Sequence, residues 1–139
     1  MPEESTTPDL VELTRSLYDA VERRDLDFWI RLFAPDAVLE ARTVAERFEG
    51  RTAIRGFLED WLDMFERYET KPDEVLDLGQ GVVFVANCLT ARLPGSDAEL
   101  RMRDAHVYEW AERMVVRITL DTDINEARAA AERLAQKRG

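Results

Sequence analysis

"VVFVANCLTARL" (residues 82–93) and "AELRMRDAHVYEW" (98–110) decide how the rest of the chain is read. Each is a long run rich in β-formers, and the "PGSD" between them (94–97) is built of turn residues. Two long strands joined by a turn are expected. Just upstream, "DEVLDL" (73–78) reads as another strand and "GQG" (79–81) as its turn. Just downstream, "AER" (111–113) turns into a fourth strand, "MVVRITL" (114–120). Four antiparallel strands therefore fill the C-terminal half.

Before residue 70 the period is helical. "TPDL" opens a helix, with Thr7 as cap and Pro8 in the first turn, and Leu10, Leu13, Leu17 and Val21 follow at helical spacing. Asp25 caps a short second helix carrying Phe28, Trp29, Leu32 and Phe33, and Pro35 stops it. "AVLEA" (37–41) is a short strand. After Gly50, the residues Ile54, Phe57, Leu58, Trp61, Leu62 and Phe65 form a broad apolar stripe, on which Trp61 reads as core. "FERYETKPDE" reads as a polar connection. Asp123 and Glu126 make a capping box for an Ala-rich last helix that ends near residue 136, with a solvated Glu/Arg face. Residues 1–8 read as a disordered lead-in and 9–136 as one domain. Helices followed by strands argue for an α+β fold, helices packed on one face of a curved antiparallel sheet.

The chain has 139 residues, 45% apolar and 35% charged, with a net charge of −10. That length fits one domain with a real core. The acidity argues against nucleic-acid and anionic-membrane partners, which need a basic patch. The single cysteine, Cys88, permits no intrachain disulfide. No run is long and apolar enough to span a bilayer, and "MPEESTTPDL" is unlike a signal peptide, so a cytoplasmic location is expected. One histidine and one cysteine do not make a zinc site, and no Gly-rich phosphate loop appears, so neither metal nor cofactor is expected.

Strand alternation then separates two faces. Met102, Asp104, His106, Tyr108 and Trp110 share one, and Val83, Val85, Asn87, Leu89 and Ala91 share one on the preceding strand. An apolar wall with a few placed polar groups is how a ligand pocket looks. His106 is the only histidine, and imidazole is the side chain whose ordinary pKa, about 6.5, lies nearest neutrality. Asp104 is about 7 Å away along the strand, at a rise of about 3.3 Å per residue. The competing reading is a partly buried histidine satisfied by Asn87 or a backbone carbonyl, with no chemistry. Asp104 can likewise read as a surface ion pair with Arg101 or Arg103. Cys88 faces away from Asn87 and reads as packing.

"RRDLDFWIRLFAPDAVLEA", "FEGRTAIRGFL" and "HVYEWAERMVVRITL" together resemble the SnoaL-like branch of the nuclear-transport-factor-2-like superfamily, over roughly residues 9–128. The resemblance implies a cone-shaped barrel: a strongly curved sheet wrapped around the N-terminal helices, with an internal pocket. It also implies a homodimer through the outer sheet face. It does not fix function, because this fold hosts many chemistries. The ketosteroid-isomerase base falls at Ala41. The isomerase's first-helix tyrosine falls at Leu17, one step from Tyr18, and its strand-borne acid falls at His106. The epoxide-hydrolase set falls on Asn87, Leu89 and Leu120. Neither of those activities is expected. Polyketide-cyclase-like chemistry has its nearest match in His106 and Asp104, with Asp121 and Asp123 as further acids.

The expectation is thus a pocket for a small hydrophobic molecule. His106 and Asp104 are its catalytic candidates, and Asn87, Tyr108, Trp110, Leu89, Phe33 and Leu58 its ligand-binding wall. The alternative is a non-catalytic binding or dimerisation module of the same fold.

Overall fold

A computed structural model of the protein describes residues 9–139. Thr7, Pro8 and the whole 1–8 lead-in lie outside the described residues. Helix α1 (Leu10–Arg23) is capped by Asp9, whose carboxylate accepts from the N–H groups of Val11 and Glu12. It ends where Arg24 turns left-handed (φ 59°), and the Arg24 and Asp25 amides bond back to Val21 and Ala20. Helix α2 (Leu26–Arg31) starts on the expected cap, Asp25, which accepts from Phe28 N–H.

Strand β1 (Phe33–Ala41) begins before the proline, not after it. Phe33 already pairs with Val115, and the register shifts between Phe33 and Val38. Pro35 fits in that irregular stretch because it has no N–H to give a ladder. A short β2 (Glu46–Glu49) pairs with β1. Its four residues carry too little pattern to be seen in sequence. Helix α3 (Arg51–Asp63) follows Gly50 (φ 90°), buries Ile54 and Leu58, and stops short of Phe65.

The "polar connection" is in fact strand. β3 runs Arg67–Gly79 and takes in most of "FERYETKPDE". It lies at the edge of the sheet, where one flank is unpaired and Pro72 is tolerated beside a register shift. β4 (Val82–Arg92), β5 (Leu100–Ala111) and β6 (Met114–Asp121) follow as expected. The order of the curved six-stranded sheet is β2-β1-β6-β5-β4-β3. Its pairs are antiparallel except β1 with β6, which run parallel. Helix α4 (Ile124–Arg138) begins at the expected cap, Asp123, which accepts from Glu126 N–H at 3.0 Å; the reciprocal half of the box is not formed, because the Asp123 N–H donates to Asp121 Oδ1 instead.

The sheet has helices on both faces, not one. Inside, Val83, Val85, Tyr108, Trp110 and Ile118 pack with Leu17, Ile54 and Leu58. Outside, Val82, Phe84, Ala86, Ala105 and Val107 are covered by Ala127, Ala131 and Ala135 of α4. Alanines four apart make a narrow stripe that lets the helix lie close on the sheet. Arg128 ties it down, with an ion pair to Glu74 and its guanidinium over the Phe84 ring. Among the described residues no helix is long and apolar enough to cross a membrane.

Candidate functional site

The inner face of the sheet and helices α1 and α3 enclose a cavity of about 600 Å³. Leu17, Tyr18, Leu58 and Trp61 line it from the helices, and Leu39, Leu89, Tyr108 and Ile118 from the strands. Two of its polar groups, Asp104 and His106, sit on β5. Their side chains are only 19% and 13% exposed.

His106 is held at both ring nitrogens. Nε2 lies 3.1 Å from Asp104 Oδ2, and Nδ1 lies 2.5 Å from Tyr18 Oη. The partners fix the tautomer. An ionised carboxylate only accepts, so Nε2 carries the proton; Nδ1 of the neutral ring then accepts from the Tyr18 hydroxyl. Tyr18 in turn accepts from Tyr108 Oη at 2.9 Å. On the other side, Asn87 Nδ2 donates to Asp104 Oδ1 at 3.0 Å, and Thr70 Oγ1 donates to Asn87 Oδ1 at 2.7 Å. The result is one directed chain in which each donor meets an acceptor: Tyr108, Tyr18, His106, then Asp104, with Thr70 and Asn87 feeding the same carboxylate.

The electrostatics agree with that direction. Burial raises the Tyr18 hydroxyl well above its ordinary value, and the neighbouring Tyr108 adds to it. Burial also raises Tyr108. Both phenols therefore stay protonated donors at neutral pH. Burial works against the Asp104 charge, but His106 beside it, with Asn87, outweighs that cost and holds the carboxyl below its ordinary value.

The parity of both long strands is as expected: Asn87, Asp104, His106 and Tyr108 all face inward. Asp104 is not a surface ion pair. Arg103 reaches Asp73 and Arg101 reaches Glu99 instead. Of the eight candidates, Leu58, Leu89, Asp104, His106 and Tyr108 line the cavity. Phe33, Asn87 and Trp110 do not. Phe33 is fully buried against Trp29 (centroids 4.6 Å apart), and Trp110 gives its Nε1–H to Thr14 at 3.2 Å. Asn87, also fully buried, stands behind Asp104. Face alone does not say how far along the cone the hollow extends.

Sequence reasoning passed over Tyr18, Thr70 and the cavity role of Trp61. A signal for Tyr18 existed: Thr14, Leu17, Tyr18 and Val21 stand at i, i+3, i+4 and i+7, all buried. Two hydroxyls on an apolar helix stripe need partners, and Trp110 and His106 supply them. Ala41, Leu89 and Leu120 line the cavity. Asp121 sits at the edge, 3.4 Å from Arg42. Cys88 lies on the outer face, with Sγ 3.3 Å from Asp73.

The profile of the SnoaL-like domain family matches residues 14–118. Among solved structures, an NTF2-like protein of unknown function from Burkholderia pseudomallei superposes with a TM-score of 0.75 at 17% identity, covering 86% of this chain and 95% of its own. A Mycobacterium tuberculosis protein crystallised with estradiol-17β-hemisuccinate gives 0.70 at 16%, covering 82% and 95%. TerC, co-crystallised with polyporic acid, gives 0.71 at 16%, covering 88% and 97%. No curated protein matches the chain. At these identities the structures share the fold, while the profile spans most of the chain: the protein belongs to the SnoaL-like domain family.

Proposed function

We propose that the protein binds a small hydrophobic molecule in the inner cavity and acts on it without a cofactor, as a polyketide-cyclase- or isomerase-like acid–base enzyme. The observation that carries this reading is the directed hydrogen-bond chain that reaches the cavity wall at Tyr18 and His106. A buried chain of this kind is costly to build unless every member is satisfied, and here every member is.

Both nitrogens of His106 are occupied, so the ring reaches a ligand through Tyr18. With the ring neutral, Tyr18 Oη keeps a lone pair for the cavity. A ligand proton taken there moves the phenol's own proton to His106 Nδ1, and the new imidazolium is stabilised by Asp104. With the ring protonated, His106 and Tyr108 both donate to Tyr18 Oη. The phenol hydrogen then turns to the cavity and donates to a ligand carbonyl or developing enolate. Asp104 orients and charges the relay, and Asn87 and Thr70 hold Asp104. Two solved structures of the same fold carry bound small molecules, which supports the pocket half of the proposal.

The test is enolisation. A neutral bicyclic ketone, 2-tetralone, is incubated in D2O with the protein and with His106→Ala, and deuterium uptake beside the carbonyl is followed by NMR. Wild-type exchange about 100-fold or more above the variant is expected from a positioned acid–base group. Equal rates would remove the catalytic claim and leave the second reading, a binding module that keeps the relay only as structure. That reading is favoured by one observation, the apolar Ala41 and Leu120 in the wall. The proposal also keeps a cytoplasmic location and a homodimer. Because α4 covers the outer face of β4 and β5, that dimer would use β1 and β6, where Glu40 and Arg117 are about a third exposed. Sedimentation that finds only monomer at high concentration would discard it.

A further inference from the structure

The cavity wall contains four carboxylates, Glu46, Asp60, Asp104 and Asp121, and no lysine or arginine. Two of them are already engaged, Asp104 by His106 and Asp121 by Arg42. Glu46 and Asp60 are exposed and form no ion pair with any described residue. Each stands beside an aromatic ring that also lines the cavity. Glu46 and Phe48 are two apart on β2, hence on the same face of the strand; Phe57, Asp60 and Trp61 are at i, i+3 and i+4 on α3, hence on one face of the helix. Phe48 and Phe57 pack against each other with centroids 4.8 Å apart, which joins the two elements. The rest of the wall is mostly apolar, with Leu17, Leu39, Leu58, Leu89 and Ile118 beside the Tyr18–His106 relay.

We propose that the cavity selects its ligand by charge. The ligand is a hydrophobic amine, bound as its ammonium form. Its cation sits at the mouth against Glu46, Asp60 and the flanking rings, with its hydrocarbon body inside. An ammonium meets carboxylates there and the negative faces of aromatic rings. A carboxylate ligand meets Glu46 and Asp60 as like charges, while Arg42 beside the wall is already held by Asp121. The protein's net charge of −10 adds a long-range field of the same sign. The carboxylates do not make the site: the cavity does, and they set which molecules enter it. This inference rests on the pocket half of the proposed function and not on catalysis.

The experiment compares three probes built on one cage: 1-adamantanemethylamine, 1-adamantanemethanol and 1-adamantanecarboxylate. Binding is measured at pH 7.5 by calorimetry and by the fluorescence of the cavity tryptophans, on wild type and on the Glu46→Gln/Asp60→Asn variant, whose two positions are exposed. The amine is expected to bind on the order of tenfold more tightly than the alcohol, and the carboxylate most weakly. In the variant the amine's advantage over the alcohol should shrink at least about threefold while the alcohol is unchanged. An amine no tighter than the alcohol, or a carboxylate as tight as the amine, overturns the charge inference and leaves the pocket standing. No binding by any of the three overturns the pocket and the inference together. An amine preference untouched in the variant would show that these two carboxylates are not its source and would overturn the assignment.

Discussion

Tyr18 Oη and His106 Nδ1 lie 2.5 Å apart although 88 residues separate them in the chain, and their rings are within 8° of parallel. The contact joins α1 to β5 across the cone, and the proton relay passes through it. Replacing Tyr18 with Phe keeps the ring and removes only the hydroxyl. His106 Nδ1 and Tyr108 Oη then lose their partner, at a cost of about 1–3 kcal/mol in chemical denaturation. Ketone exchange should fall nearly as far as in His106→Ala, because the two act as one unit. An unchanged exchange rate in Tyr18→Phe would place the ligand directly on the imidazole.

The carboxyl of Asp104 is held below its ordinary value of 3.8 in the fold. Its ionised form therefore stabilises the native state. That contribution is complete above the ordinary value and drains away as pH falls from there through the lowered folded value. Denaturation curves of wild type and Asp104→Asn should accordingly be well separated above pH 3.8 and converge as the pH falls below it. A gap that is flat across this acid range would mean that the charge contributes nothing.

Asp104→Asn carries a second expectation. The amide would present an N–H where the imidazole Nε2–H now points, and the ring is driven toward the opposite tautomer. Tyr18 could then no longer donate to Nδ1. Imidazole ¹⁵N shifts report this directly, and the wild-type Nε2–H pattern persisting in the variant would contradict the relay's direction.

Trp110 tests where the cavity ends. Its Nε1–H bonds Thr14 and its ring is 3% exposed, away from the hollow. Trp110→Phe should cost about 1–3 kcal/mol of stability through the lost hydrogen bond and the smaller ring. Affinity for the adamantane probes should stay within about twofold, since no wall atom is removed. A marked loss of affinity at unchanged fold would extend the cavity to this ring.

Gly81 (φ 82°) closes the turn between β3 and β4, and a Cβ there would stand 2.5 Å from the backbone oxygen of Trp110. Backbone on both sides cannot yield cheaply. Gly81→Ala is expected to lose about 2–4 kcal/mol, while Gly95→Ala, whose Cβ would meet nothing within 4 Å, loses less. Equal melting temperatures for the two variants would refute the close approach.

Elements whose cause is local are legible along the chain. The caps Asp25 and Asp123, the long strands β4 to β6 and the inward parity of Asn87, Asp104 and His106 are all legible, because helix caps depend on adjacent amides and strand faces on a period of two. The second half of edge strand β3 is legible as "DEVLDL", but its first half, Arg67–Pro72, is not, because one flank of this edge strand is unpaired and its residues stay polar or charged. Strand β2 was too short to pattern. Other features arise from how distant elements pack. Which residues face empty space and which face neighbours depends on where α1 and α3 cross the sheet, so Phe33, Asn87 and Trp110 ended behind the wall while Trp61 opened onto it. The side of the sheet that α4 covers, and the meeting of Tyr18 with His106, are likewise products of packing at a distance: no spacing within one segment encodes which hydroxyl will reach a ring 88 residues away.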